Sequence, residues 1–342
     1  MKKVSLGDVA VSLGVSKTLV SFVINGRAKE KGISKNTAEK VISKVKELGY
    51  HPNSFARVLR TGKSMTIGVV VADISNPYYA RICRNIEAYC SKNDYYVFFC
   101  SSNEDPRKEK SLLTMLYERG IDGLIFSPTR KYTDEVEKDL NGLDMPIVLI
   151  DRFYTNKPFN YVVTDNYEMS KKVTQNLIDL GHKKIGFMAL NPLYTTVMSD
   201  RIKGYKDCLK ENGIRYSSKM IVNFQLNELQ DNFSSRINGL FSDENAITAL
   251  ISTNNKITLS AMEYLMEKKI NIPNDLSFIS FDFLDAFKVL TPPLSSIQLH
   301  AEMIGDKSAE MLLNKIAKPT KKVDNIIVKS TYHERKSCKS IN

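Results

Sequence analysis

The sequence predicts an α/β protein: a three-helix head of helix-turn-helix type, then a larger body of two doubly wound, Rossmann-like lobes. Two observations carry this. Residues 1–63 hold thirteen Lys/Arg against four acids, +9 of the formal +11, while the rest of the chain holds 36 bases against 34 acids. From Met65 onward, nearly continuous apolar runs alternate with amphipathic stretches, as in parallel sheets covered by helices on both faces, and the alternation runs through twice. A compact basic segment joined to a near-neutral body suggests a nucleic-acid reader attached to something that controls it. Phosphate neutralisation supplies most of the sequence-independent DNA affinity, so this charge has a physical use.

Composition narrows the class. The chain of 342 residues is 42% hydrophobic and 25% charged, ordinary for a globular protein with room for two or three domains. No apolar run reaches the roughly 18 residues that span a bilayer. Met1–Ser5 leads into Gly7-Asp8 and not into an apolar stretch, so no secretory leader is expected. Five scattered cysteines without a C-x-x-C pair suit a reducing cytoplasm. The four histidines show no metal spacing, and no metal or cofactor is expected.

In the head, Ser5 caps a first helix through a Ser5-x-x-Asp8 box, with Leu6, Val9, Ala10 and Leu13 as its apolar face. Gly14 makes the turn. Ser16 caps a second helix that turns Leu19, Val20, Val23 and Ile24 inward and stops at Asn25-Gly26. Ser34 starts a third, with Ala38, Val41, Ile42, Val45 and Leu48 at helical spacing before Gly49. In a helix-turn-helix the second helix enters the major groove and its first residues meet base edges. Lys17, Thr18, Ser21 and Phe22 are therefore the expected readers: Lys donates to guanine, Thr bonds either way, and Phe meets a thymine methyl.

Residues 51–64 read as a linker, with Pro52 permitting a helix, Asn53 able to cap it, apolar Phe55, Ala56, Val58 and Leu59, and basic Arg57, Arg60 and Lys63. Such a segment is too short to be a stable helix alone. In the body the reading gives strands at 66–72, 95–100, 123–127, 146–150, 161–164, 184–189, 220–224, 249–252, 276–281 and 326–329. Helices fall at 77–91, 106–119, 167–180, 199–212, 257–268 and 301–316. No Gly-x-Gly-x-x-Gly follows the first strand, and no nucleophile elbow, P-loop or zincin motif is present, which argues against an enzyme. Ligands of open α/β sheets bind beyond the C-terminal strand ends. Those ends offer Asp73, Ser75, Asn76, Tyr78, Tyr79, Asp151, Arg152, Asp165, Asn166, Asn191, Tyr194, Asn254, Asn255, Asp282 and Phe283, with Arg201 on the following helix. Acids, amides and Arg beside aromatic rings suit a polyhydroxylated ligand.

The landmarks Asp8-Val9-Ala10, Gly14-Val15-Ser16, Val20-Ser21, Asn25-Gly26, Leu48-Gly49-Tyr50, Pro52-Asn53, Leu59-Arg60 and Ile74-Ser75-Asn76-Pro77 fall in register with one known pattern. Through them the chain resembles the lactose/galactose-repressor (LacI/GalR) family over nearly its whole length. The resemblance implies a head at 1–50, a hinge at 51–64, and a periplasmic-binding-protein-like (type I) body at 65–342, its lobes at 65–164 with 293–325 and at 165–292 with 326–342. It implies a homodimer on a near-palindromic double-stranded operator, contacted by Ser5, Ser16, Lys17, Thr18, Ser21, Phe22, Asn25 and Arg27. The hinge would order on DNA and insert Leu59 into the minor groove, with Ala56 one turn earlier. It further implies a small-molecule effector, a sugar or sugar derivative. "IDR" (Ile150–Arg152), "RIKGY" (Arg201–Tyr205), Asn254 and Asp282 match family effector-contact positions, and Asp73, Asn76, Tyr78, Tyr79, Arg152 and Tyr194 complete the expected site.

Four departures stand out from the family pattern. Phe22 replaces the usual base-contacting Arg, and the Arg27–Gly32 loop is longer and more basic, so operator preference should differ from the family consensus. Ser280-Phe281-Asp282-Phe283 stands where "GFDD" is usual, and Leu299-His300 where Gln-Pro is usual, which makes the pocket more apolar. The reading is a sequence-specific, effector-controlled transcription regulator acting as a repressor, and not an enzyme. A transport binding protein would need a leader and would lack the basic head. A ligand-insensitive architectural DNA protein remains the alternative.

Overall fold

The computed structural model describes residues 4–50, 62–225, 229, 232–242, 246–320 and 322–341. It divides into two compact units, Met1–Ser64 and Met65–Asn342.

The first unit holds α1 (Leu6–Leu13), α2 (Lys17–Ile24) and α3 (Lys35–Glu47). A serine starts each helix. Ser5 Oγ accepts from the Asp8 N–H at 3.2 Å while Asp8 accepts from the Ser5 N–H at 2.7 Å, a capping box with Asp in place of Glu. Ser16 and Ser34 accept from the N–H groups of Leu19 and Thr37 at 3.1 and 3.2 Å. Gly14, at φ 64°, takes the left-handed conformation that a side chain disfavours, which lets the chain turn directly into α2. Val9, Ala10, Val20, Val23 and Val41 form the buried centre.

In the second unit, β1 (Thr66–Val71), α4 (Pro77–Ser91), β2 (Tyr96–Ser101), α5 (Pro106–Glu118), β3 (Gly123–Phe126), α6 (Asp134–Asn141), β4 (Ile147–Ile150) and β5 (Asn160–Thr164) build the first lobe. The second follows with α7 (Asn166–Asp179), β6 (Ile185–Leu190), α8 (Thr196–Glu211), β7 (Ile221–Phe224), α9 (Phe233–Ile237), β8 (Ala249–Ser252), α10 (Asn255–Glu267), β9 (Ser277–Phe281) and β10 (Ser295–Gln298). The chain returns to the first lobe for α11 (Ala301–Ala317) and β11 (Asn325–Val328), and to the second for β12 (Thr331–His333). The sheet orders are β11-β5-β4-β3-β1-β2 and β12-β10-β9-β8-β6-β7. All pairings are parallel except β10 with β12.

Alternation along β1 shows how both faces are covered. Ile67, Val69 and Val71 pack with Ile82, Ile86, Ile304 and Leu312 of α4 and α11, while Val70 packs with Leu113, Leu116 and Phe126 on the other side. In the second lobe α7 lies close against α8 because Gly204 has no Cβ to strike the Tyr167 carbonyl and Ser170.

The sheets correct the expected lobe boundaries. The strand at 295–298 pairs with β9 and so belongs to the second lobe, and the strand at 325–328 pairs with β5 and belongs to the first. The crossings fall at Leu299–His300, where His300 takes φ 49°, and at Lys329–Ser330, where the Ser330 N–H donates to Asp165 at 2.8 Å. An apolar run announces a strand but not the sheet it joins. Helices α6 and α9 and strands β10 and β12 were not expected.

Candidate functional site

In the head, Lys17 and Thr18 are exposed at the start of α2, as a reader requires. Ser5 and Ser16 spend their hydroxyls on caps, and Asn25 Nδ2 donates back to the Ser21 carbonyl at 2.6 Å. Phe22 was expected to face outward. It is half-buried, with the Arg27 guanidinium 5.7 Å and the Lys31 ammonium 5.5 Å from its ring centre. Arg27 also holds Glu30 by two hydrogen bonds of 2.9 and 2.6 Å. The extra basic loop is thus folded onto α2 through Phe22. Ala56 and Leu59 lie outside the described residues.

In the body, nine of the ten expected effector residues line one cavity between the lobes: Asp73, Asn76, Tyr78, Tyr79, Asp151, Arg152, Arg201, Asn254 and Asp282. Asp151 directly follows β4 and Asp282 directly follows β9, at φ 63° and 68°. Strained backbone of this kind is held in place by its surroundings and clusters at ligand clamps. Tyr79 donates to Asp151 at 2.7 Å. Arg152 grips Glu104 through two hydrogen bonds of 2.7 and 2.5 Å. Burial opposes the charge of Arg152, but Tyr79, Glu104 and Asp151 outweigh it, and its pKa lies above the ordinary value.

On the second lobe Arg201 lies 4.3 Å over the Phe281 ring and donates to Asn166 at 2.8 Å and to the Thr253 carbonyl at 2.5 Å. Burial lowers the Arg201 pKa, against Asp282 and Asp151. Burial likewise raises that of Asp282, against Arg201 and the Asn255 N–H. Asn76 and Asn254 also cap helices, accepting from the N–H groups of Tyr78 and Lys256 at 3.0 and 2.8 Å.

The lobes touch directly over this cavity. Lys256 reaches Asp73 at 2.8 Å and Ser75 at 3.3 Å, and Asn255 donates to Asn76 at 3.1 Å. The space left is about 50 Å³, against the roughly 300–1,000 Å³ of ligand pockets, so the lobes stand closed over it. Tyr194, expected in the site, lines a neighbouring chamber instead and donates to the Thr129 carbonyl of the first lobe at 2.9 Å. Phe283 lies under Lys288 and Arg335, outside this cavity. Glu104, Thr253, Lys256 and the apolar wall of Leu190, Val197 and Met198 were missed, while Leu299, expected to make the pocket more apolar, does line it. Glu104 lies just past the β2 end, where the strand-end rule could have found it. Lys256 follows the flagged Asn254-Asn255 pair.

A helix-turn-helix head on a hinged, two-lobed ligand-binding body defines a ligand-responsive DNA-binding protein. Residues 5–53 match the profile "Bacterial regulatory proteins, lacI family", and residues 64–336 match "Periplasmic binding proteins and sugar binding domain of LacI family". The HTH-type transcriptional repressor PurR of Haemophilus influenzae (strain PittEE) is 30% identical over 312 residues, 91% of each chain. The lac repressor dimer bound to operator and the anti-inducer ONPF superposes with a TM-score of 0.83 at 22% identity, covering 98% of this chain and 99% of that one. An Enterococcus faecium LacI-family regulator with bound ribose superposes with a TM-score of 0.70 at 25% identity, covering 81% of this chain and all of the other. The chain belongs to the lacI family of bacterial regulatory proteins. It is a DNA-binding transcription regulator controlled by an effector, and not an enzyme. Among the described residues no single helix is long and apolar enough to cross a membrane.

Proposed function

We propose that this regulator is a cytoplasmic homodimeric repressor that reads a near-palindromic operator through Lys17, Thr18 and Phe22, with Leu59 as a minor-groove wedge, and that a sugar or sugar derivative closing the two lobes is its effector. One observation carries the effector reading. The cavity sets the carboxylates Asp151 and Asp282, the guanidiniums Arg152 and Arg201 and the rings of Tyr78 and Tyr79 around one space. Carboxylates accept from hydroxyls, guanidiniums donate to them, and rings cover the C–H face of a sugar. The relative holding ribose supports the same class. A second copy has an obvious seat: edge strand β2 leaves Tyr96, Phe98 and Phe99 exposed, and unpaired apolar edges invite pairing. A two-fold pair of heads fits a two-fold operator.

The decisive experiment is a thermal-shift screen of mono- and disaccharides on the full chain, followed by operator titration with any hit. A sugar that stabilises the protein and changes operator affinity at least tenfold is expected; no change with any sugar removes the sugar effector. For the wedge, Leu59→Ala should weaken operator binding at least tenfold, through loss of the kink and of the contacts it permits, and weaken binding to random-sequence DNA far less. Equal loss on both DNAs at fixed salt removes the wedge.

A further inference from the structure

Beside the main cavity lies a second chamber of about 240 Å³, which shares only Arg152 with it. Arg130, Lys131, Arg152, Tyr154, Thr195 and Thr196 supply its polar lining, and among the described residues no carboxylate lines it. The nearby acids are taken up behind the arginines. Glu109 and Asp139 hold Nε and Nη1 of Arg130 at 2.9 and 2.5 Å, and Glu104 holds both terminal nitrogens of Arg152. What remains is a surplus of donors. Seven buried side-chain polar atoms lack a hydrogen-bond partner among the described residues, and three of them belong to residues that line this chamber: Arg130 Nη2, Arg152 Nε and the Tyr154 hydroxyl. Arg152 Nε has Asp151 only at 3.7 Å, too long for a hydrogen bond. Tyr154 is 8% exposed, and the Arg130 side chain 9%.

The backbone adds to this surplus. Helix α8 begins at the chamber, its N-cap Thr195 forms no side-chain cap, and Thr195 Oγ1 instead donates to the Pro192 carbonyl at 3.1 Å. The N-terminus of a sixteen-residue helix, the positive end of its dipole, therefore lies at this chamber through Thr195 and Thr196. Desolvated donors without partners cost free energy in the folded state. An acceptor-rich dianion recovers that cost, since charged fork donors and a helix N-terminus are the groups that recognise phosphate.

We propose that this chamber is a phosphate site, taking inorganic phosphate or the phosphate group of a monoester. The Tyr194 bond to Thr129 and the Phe153 N–H bond to Thr196 at 3.2 Å join the two lobes at this chamber. Occupancy is therefore coupled to lobe closure. The site stands independently of the molecule in the main cavity.

The test is calorimetric titration of the full chain with inorganic phosphate at constant ionic strength, with chloride as the control. Phosphate should bind at least tenfold more tightly than chloride. Arg130→Lys and Tyr154→Phe should each weaken it at least fivefold, and replacing the exposed Lys210 in the last turn of α8, far from both cavities, by Gln should leave it unchanged. Tyr154→Phe, which removes a partnerless hydroxyl, should also leave the phosphate-free protein at least as heat-stable as the parent. Ribose and ribose 5-phosphate distinguish the source of the anion. If the effector carries it, ribose 5-phosphate binds more tightly than ribose, inorganic phosphate competes, and Tyr154→Phe erases the difference. If the anion is separate, ribose and phosphate bind together without competition. Phosphate binding without any ribose binding upholds the chamber and counts only against the sugar reading. The proposal is overturned if phosphate binds no better than chloride while ribose 5-phosphate binds no better than ribose, or if neither Arg130→Lys nor Tyr154→Phe changes phosphate binding.

Discussion

At the residue scale, Asp282 shows how the proposed effector site conflicts with stability. Burial raises its pKa above the ordinary carboxylate value of about 3.9, and Arg201 and the Asn255 N–H only partly offset this. A carboxyl whose folded pKa exceeds its unfolded value contributes stability below the unfolded value and loses it as pH rises through the folded one. At neutral pH the ionised group is thus a net burden on the fold. Asp282→Asn should raise Tm at pH 7–8, leave it nearly unchanged at pH 4, and weaken the effector at least tenfold. A lower Tm at both pH values would show that pairing with Arg201 dominates. Phe22 raises the matching question for the head, because its ring holds Arg27 and Lys31 over α2. If it also reads DNA, Phe22→Ala should relax discrimination by about 1–3 kcal/mol at one base step and leave the salt slope unchanged, since no charge is lost. Competition titrations with single-base operator variants at several salt concentrations decide this. A uniform loss across all sequences would leave Phe22 as a loop support only.

At the element scale, the second lobe depends on the close approach of α7 and α8. A methyl group at Gly204 would strike the Tyr167 carbonyl, which is backbone and cannot rotate away. Gly204→Ala should therefore cost about 1–3 kcal/mol by overpacking, despite the better helix propensity of alanine. Urea unfolding measures it, and an unchanged midpoint would mean that the helices slide apart freely. Elements were legible where local pattern decides them. The serine caps of α1, α2 and α3 and the apolar runs of β1, β3 and β8 are encoded within a few residues. Helix α6 escaped because only Val136 and Leu140 of its eight residues are buried. The lobe memberships of β10 and β11 escaped because pairing partners are chosen by topology. The site divides the same way. Asp151 and Asp282 follow from the strand-end rule, whereas Lys256 acts through Asp73, 183 residues away, and such a pairing leaves no local trace.

At the scale of the whole body, regulation requires a lobe equilibrium poised so that an effector can shift it. Lys256 lies in the first turn of α10, where the helix dipole disfavours a cation by about 0.3–1 kcal/mol. Its bonds to Asp73 and Ser75 across the cleft offset that placement. Burial alone would raise the Asp73 pKa, yet Lys256 and Ser75 hold it below the ordinary value, so the carboxylate is ionised and the pair is charged at neutral pH. The Lys256 side chain is 36% exposed and that of Asp73 17%, so the pair falls in the range of about 0.2–1 kcal/mol for partly screened ion pairs. That is enough to move a closed-to-open ratio about 1.4- to fivefold. Lys256→Gln and Asp73→Asn should each lower effector affinity by that factor, and the double substitution should lose no more than either alone. Salt should act in the same direction, since the screening length falls from about 10 Å at 0.1 M to about 3 Å at 1 M. Effector affinity should therefore decline with salt in the parent and stay flat in both variants. If the two losses add, or if the variants keep the parent's salt dependence, the lobes are held by the Asn76–Asn255 and Tyr194–Thr129 bonds and Lys256 is only a surface charge.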